Sequence, residues 1–129
     1  SPLSRAKRTA EIIAESQPGI KRIIEVPELM ETASEESARY VLSLKGVERM
    51  PSFEKLKGIS ETTDEFLFRV EQGLKVVLTR SVDEAPLIVA HGGVCIALCK
   101  ILDLEFFRTP NCCMVAFDFI NKGYSIRFI

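Results

Sequence analysis

Pro86-Leu87-Ile88-Val89-Ala90-His91-Gly92-Gly93-Val94 is the stretch on which the fold of this chain turns. An apolar, β-leaning run over 86–90 feeds a His-Gly-Gly turn, and an apolar segment of helical length follows. The pattern predicts a strand over 86–90 and a helix over 93–102, with the chain's single histidine at the junction. A side chain there stands at the carboxyl end of a strand, in the crevice where open α/β sheets take their ligands. It also stands beside the free amides of a helix N-terminus, which favour anions such as phosphate. His91 and Gly92 are the first candidate site residues.

Upstream, Thr62-x-x-Glu65 is a capping box, and Phe66, Val70, Leu74 and Val77 give the apolar face of a helix over 64–80. Downstream, segments near 112–119 and 124–129 joined through Asn121-Lys122-Gly123 predict an antiparallel hairpin. At the start, Ser1-Pro2 reads as N-cap and first position of a helix over 2–15. Leu3, Ala6, Ala10 and Ile13 share one stripe of that helix, with Arg5 to the side. Pro18-Gly19 ends it, and 22–26 reads as a strand stopped by Pro27. The pattern is poorer from Glu28 to Gly58, where a helix over 37–44 and a loop over 46–58 are expected. Helices alternating with strands predict an α/β fold: a three-layer α/β/α sandwich with a mostly parallel sheet and an antiparallel C-terminal hairpin.

A chain of 129 residues is one domain's worth, 1–129. Its 17 basic and 18 acidic residues set up no field of one sign, so no nucleic-acid partner is implied. No apolar run approaches the roughly 20 residues that span a bilayer, so no membrane partner is expected. Cys95, Cys99, Cys112 and Cys113 have neither C-x-x-C spacing nor a nearby histidine pair. They read as reduced thiols of a cytoplasmic protein, with no metal and no cofactor expected.

Ser1-Pro2-Leu3-Ser4-Arg5-Ala6-x-x-Thr9-Ala10 and Val89-Ala90-His91-Gly92-Gly93-Val94 resemble two signatures of the histidine phosphatase (phosphoglycerate mutase-like) superfamily, in the family's order. The intervening helices and the terminal hairpin match as well, so the resemblance covers nearly the whole chain. It implies phosphomonoester phosphatase or mutase activity on a small phosphorylated substrate or a phosphoprotein. In that family a histidine within an Arg-His-Gly motif on the first strand attacks the phosphoryl group and becomes phosphohistidine. A second histidine and two arginines hold the phosphate, and a carboxylic acid protonates the leaving group.

Carried over by residue, the resemblance makes Arg5 a phosphate-binding arginine and His91 the second histidine. Leu29-Met30-Glu31 is similar to the Leu-x-Glu that supplies the acid, which makes Glu31 the proton-donor candidate. The family's aromatic-Gly-x-Trp-Glu-Gly continuation is replaced here by Thr32-Ala33-Ser34-Glu35-Glu36. From the residues alone Glu31 is one carboxylate of an acidic run that also holds Glu28, Glu35 and Glu36. Gly58-Ile59-Ser60-Glu61-Thr62 resembles the family's Gly-Glu-Ser and reads first as a helix cap. Asn111 resembles its Asn-Ala-Ser position. The family's variable segment, here about 32–60, carries Lys45, Arg49, Lys55 and Lys57 as candidates for contact with an anionic substrate.

Arg-His-Gly is absent, and no second histidine accompanies His91. The resemblance therefore implies an N-terminal segment upstream of Ser1 that carries the first strand and the nucleophile, with 1–129 inactive alone. The alternative is a non-catalytic phosphate-binding or protein-interaction module on the same fold. A His-Gly-Gly oxyanion loop of an α/β-hydrolase would require a Gly-x-Ser-x-Gly elbow and a later histidine, and neither occurs.

Overall fold

A computed structural model describes residues 1–20, 22–32, 43, 61–81, 85–105, 110, 112–120 and 123–129, with the backbone alone at 119, 120, 123 and 128. The expectations for 37–44, 46–58, Asn111 and the basic residues Lys45, Arg49, Lys55 and Lys57 lie outside these residues, apart from helical Ser43.

Helix α1 spans Ser4–Ser16 and starts later than its sequence suggests. Leu3 is its N-cap and no side chain caps it. Ser1 is engaged elsewhere: its Oγ accepts from the Leu3 amide at 3.3 Å and lies 2.8 Å from His91 Nε2. The serine thus shapes the turn before the helix and touches the site, and the helix's own first amides gain nothing from it. Of the apolar stripe only Ala6 is fully buried.

A 3₁₀ turn, Pro27–Leu29, follows, with Leu29 buried. Helix α2 spans Thr63–Arg80 and opens as expected. The Glu65 amide donates to Thr62 Oγ1 (3.2 Å), and Glu65 Oε2 accepts from the Thr62 amide (2.7 Å), so two otherwise orphaned donors are satisfied. Asp64 and Glu65 in the first turn and Arg80 in the last complement the helix dipole. Its inward face is Phe66, Val70, Gly73 and Val77. Helix α3, Gly92–Ile101, is buried on most sides through Val94, Ile96, Ala97, Leu98 and Cys99, as its nearly continuous apolar sequence requires. α2 and α3 pack together, and the 3₁₀ turn packs on α2; Val26, Leu29 and the inward residues of both helices form the core.

Strands β1 (Val115–Ile120) and β2 (Gly123–Phe128) form the expected antiparallel hairpin, with Val115 opposite Phe128 and Ile120 opposite Gly123. They make up the only sheet among the described residues. Segments 22–26 and 86–90, expected as parallel strands, join no ladder. Among the described residues, 22–25 and 85–88 make no backbone–backbone hydrogen bond. Ile23, Ile24 and Leu87 remain 45, 38 and 49% exposed. The difference is one of pairing. A hairpin brings its own partner across two residues, whereas a parallel strand depends on a neighbour remote in sequence. The two segments instead line one groove of about 780 Å³, which Ala6, Ala10 and Ile13 of α1 and Val77 and Arg80 of α2 also line. The described architecture is thus helices with a two-stranded antiparallel ribbon, and the parallel sheet of a sandwich is not among its pairings.

Candidate phosphate site

The site grows from the N-terminus of α3. His91 is the N-cap residue, in extended conformation (φ −132°, ψ 165°), and its carbonyl accepts from the Cys95 amide at 3.0 Å. Its side chain does not cap the helix, so the imidazole is free to face other groups. The Gly92 amide has no hydrogen-bond partner among the described residues. The Gly93 amide donates to Glu31 Oε2 at 3.2 Å, while Glu31 Oε1 accepts from the Thr32 amide at 3.1 Å. A carboxylate of the chain itself therefore rests on the helix end that favours anions. Glycine at 93 leaves room for this approach, because a Cβ there would push the Glu31 carboxylate aside.

The His91 ring is half-buried, with Nε2 at 2.8 Å from Ser1 Oγ. Burial first, then the Arg5 guanidinium and the amino group of Ser1, pull its pKa from 6.5 down to about 4. The imidazole is consequently neutral at pH 7. Arg5 is exposed in the first turn of α1, close enough to repel the proton on His91. Its guanidinium makes no hydrogen bond or ion pair among the described residues, although Thr9 Oγ1 donates to its carbonyl. His91, Gly92 and Glu31 thus meet at one helix end, and Arg5, 86 positions before His91 in sequence, lies near enough for its charge to act on the imidazole. A fixed cation, an imidazole able to take up a proton, a spare amide and a carboxyl group can hold a phosphoryl group and manage one proton at its edge.

Sequence reasoning overlooked Arg69. Its Nη1 donates to the carbonyls of Glu28 (2.8 Å) and Met30 (2.9 Å). Its Nε and Nη2 grip Glu61 Oε2 and Oε1 at 2.9 and 2.6 Å. Glu61, read as part of a helix cap, is the one buried charged residue of the described core, 9% exposed. The guanidinium also lies 5.1 Å from the centre of the Phe66 ring. A signal was present: position 69 falls one turn beyond Phe66 and one turn before Gly73, at the edge of the buried face of α2, where an unpartnered arginine is costly.

Among the described residues no helix is long and apolar enough to cross a membrane, and no cluster of three or more His, Cys, Asp or Glu is arranged to hold a metal ion. Comparison with curated proteins gives no match, and neither does comparison with solved structures. The family comparison does: the histidine phosphatase superfamily (branch 1) matches over residues 1–129. The match includes both motifs and the Leu-x-Glu between them, so this chain belongs to the histidine phosphatase superfamily, branch 1.

Proposed function

We propose that this chain is the phosphate-binding and acid-bearing part of a phosphomonoester phosphatase or mutase, working in the cytoplasm on a small phosphorylated substrate or phosphoprotein. The observation that carries the reading is the meeting of His91, Gly92 and Glu31 at the N-terminus of α3, with Arg5 near enough for its charge to act on His91. Arg5 and the helix-end amides bind the equatorial phosphoryl oxygens, where charge develops during transfer. His91, neutral before binding, gains a proton and a positive charge beside the bound dianion. The nucleophile is a histidine outside residues 1–129, since the only histidine here is already assigned. Its nitrogen attacks phosphorus as the P–O bond to the leaving group breaks, and Glu31 delivers its proton to the departing oxygen. Water then cleaves the N–P bond and returns a proton to Glu31. Two displacements replace one difficult step.

The groove lined by 22–26 and 85–89 fits this reading: among the described residues 22–25 and 85–88 have no backbone partner, and an extended strand bearing the nucleophile would supply one. With that strand in place the sheet would become the parallel centre of a three-layer sandwich. One observation favours the second reading, a non-catalytic phosphate-binding module, namely that residues 1–129 hold no second histidine.

The test is p-nitrophenyl phosphate hydrolysis. Residues 1–129 alone turn over nothing. Protein that includes an upstream Arg-His-Gly segment turns over and traps an acid-labile phosphohistidine. Activity in 1–129 that vanishes in His91→Ala would overturn the assignment of roles. Absence of any upstream Arg-His-Gly would select the module.

A further inference from the structure

We propose that Arg69 is the positioning residue for Glu31, holding the 28–31 segment so that the Glu31 carboxylate meets the Gly93 amide at the phosphate site. The chemical meaning of this rests on Glu31 being the leaving-group acid; the placement itself does not.

Glu31 lies in a segment without regular structure beyond the turn Pro27–Leu29, and among the described residues its side chain bonds to Thr32 and Gly93. Something must fix the backbone that carries it. Leu29 supplies one anchor, fully buried against the notch at Gly73 of α2, where any Cβ would meet Leu29 Cδ2 at 2.8 Å. An apolar anchor sets depth but leaves rotation about the segment free. Arg69 supplies the second, since one guanidinium nitrogen binds the carbonyls of residues 28 and 30, on either side of Leu29. Two carbonyls held from one point fix the direction in which residue 31 leaves the turn. The remaining guanidinium edge is gripped by both oxygens of Glu61, a fork-to-fork geometry that removes the arginine's own freedom. α2 thereby aims Glu31 at the first turn of α3. Lysine cannot reproduce this, because a single ammonium lacks the planar set of donors.

The experiment follows the Gly93 amide of residues 1–129 by ¹⁵N–¹H NMR during an acid titration. In the native chain that amide shifts as the carboxylate accepting its hydrogen bond is protonated, and Glu31→Gln removes the shift. Arg69→Met is expected to reduce the shift to less than half, with Arg69→Lys recovering only part. Glu61→Gln, which keeps the shape of the partner and removes its charge, is expected to fall between. Unchanged hairpin amides over 115–120 and 123–128 establish that each variant is folded. A folded Arg69→Met with the full Gly93 shift would overturn the proposal, as would complete rescue by lysine.

A second arm separates the placement from the acid role, in protein that has turnover. Loss of a general acid, on the order of 10²–10⁴-fold, falls on esters with poor leaving groups. Arg69→Met and Glu31→Gln should therefore each lower kcat far more for an alkyl phosphate than for p-nitrophenyl phosphate. Equal loss for both esters in Glu31→Gln, with the Gly93 shift still dependent on Arg69, would remove the acid reading and leave the positioning intact.

Discussion

His91 is neutral at pH 7 because its ring is half-buried and shares its surroundings with the Arg5 guanidinium. Both causes act against the imidazolium, and a bound phosphate acts for it. Titration of the single histidine by NMR should therefore give a pKa of about 4 in the free chain and a higher one with saturating phosphate. Arg5→Ala removes one of the depressing charges, so the free-chain pKa should rise while the response to phosphate shrinks. A pKa indifferent both to phosphate and to Arg5 would mean that these residues share no anion site. Gly93 offers a second residue-scale test. Alanine there gains up to about 1 kcal/mol of helix propensity, yet its methyl meets the Glu31 carboxylate. That carboxylate is the far end of a flexible side chain and can swing aside at little cost, so urea unfolding should show little net change while the contact between Glu31 and the helix end is lost. The His-Gly-Gly turn was legible because it is a local motif. Arg69 was not, because two of its acceptors are backbone carbonyls 39 and 41 positions away, and a carbonyl has no letter in the sequence.

Elements were legible in proportion to how local their causes are. α2 begins at its capping box and ends at Arg80, as expected, since one turn of chain contains everything a cap needs. Thr62→Ala should cost about 0.5–2 kcal/mol, read as a lower urea midpoint with an unchanged slope. α3 and the hairpin were equally readable from a run of apolar residues and an Asn-Lys-Gly connection. The start of α1 was misplaced because Ser1 has a competing engagement with His91 Nε2, set by tertiary structure. Gly73 carries a meaning that periodicity missed. It lies on the buried stripe between Val70 and Val77, and its missing side chain makes room for Leu29. Gly73→Ala should therefore be destabilising despite the better helix former, by about 1–3 kcal/mol less the propensity gain, whereas Gly→Ala on an exposed face stabilises.

At the scale of the whole molecule, the sheet was the least legible part. Segments 22–26 and 86–90 carry strand composition, but pairing is a property of two segments, and neither sequence names its partner. The groove between them leaves Ile23, Ile24 and Leu87 in contact with water. The site, by contrast, is assembled by the packed pair α2 and α3, and it couples to global stability through His91. The folded pKa of about 4 lies below the unfolded value of 6.5, so the unfolded chain binds the extra proton first. The stability that neutral His91 contributes is thus fully present above pH 6.5 and is lost as pH falls toward 4. The carboxylates with lowered pKa, Glu25 and Glu65, are exposed and act mainly below their ordinary value of 4.5. The Ser1 amino group, its pKa lowered from 8.0 by burial, begins to lose its contribution already as pH falls below 8, so between pH 6.5 and 5 the decline in the urea midpoint should have His91 as a main source. His91→Gln, which has no proton to gain, should flatten that part of the curve. Saturating phosphate should flatten it in the native chain too, because raising the folded pKa toward 6.5 removes the difference that drives the loss. A decline that persists unchanged in His91→Gln would assign the acid sensitivity to other groups and show that the half-buried imidazole is not linked to unfolding.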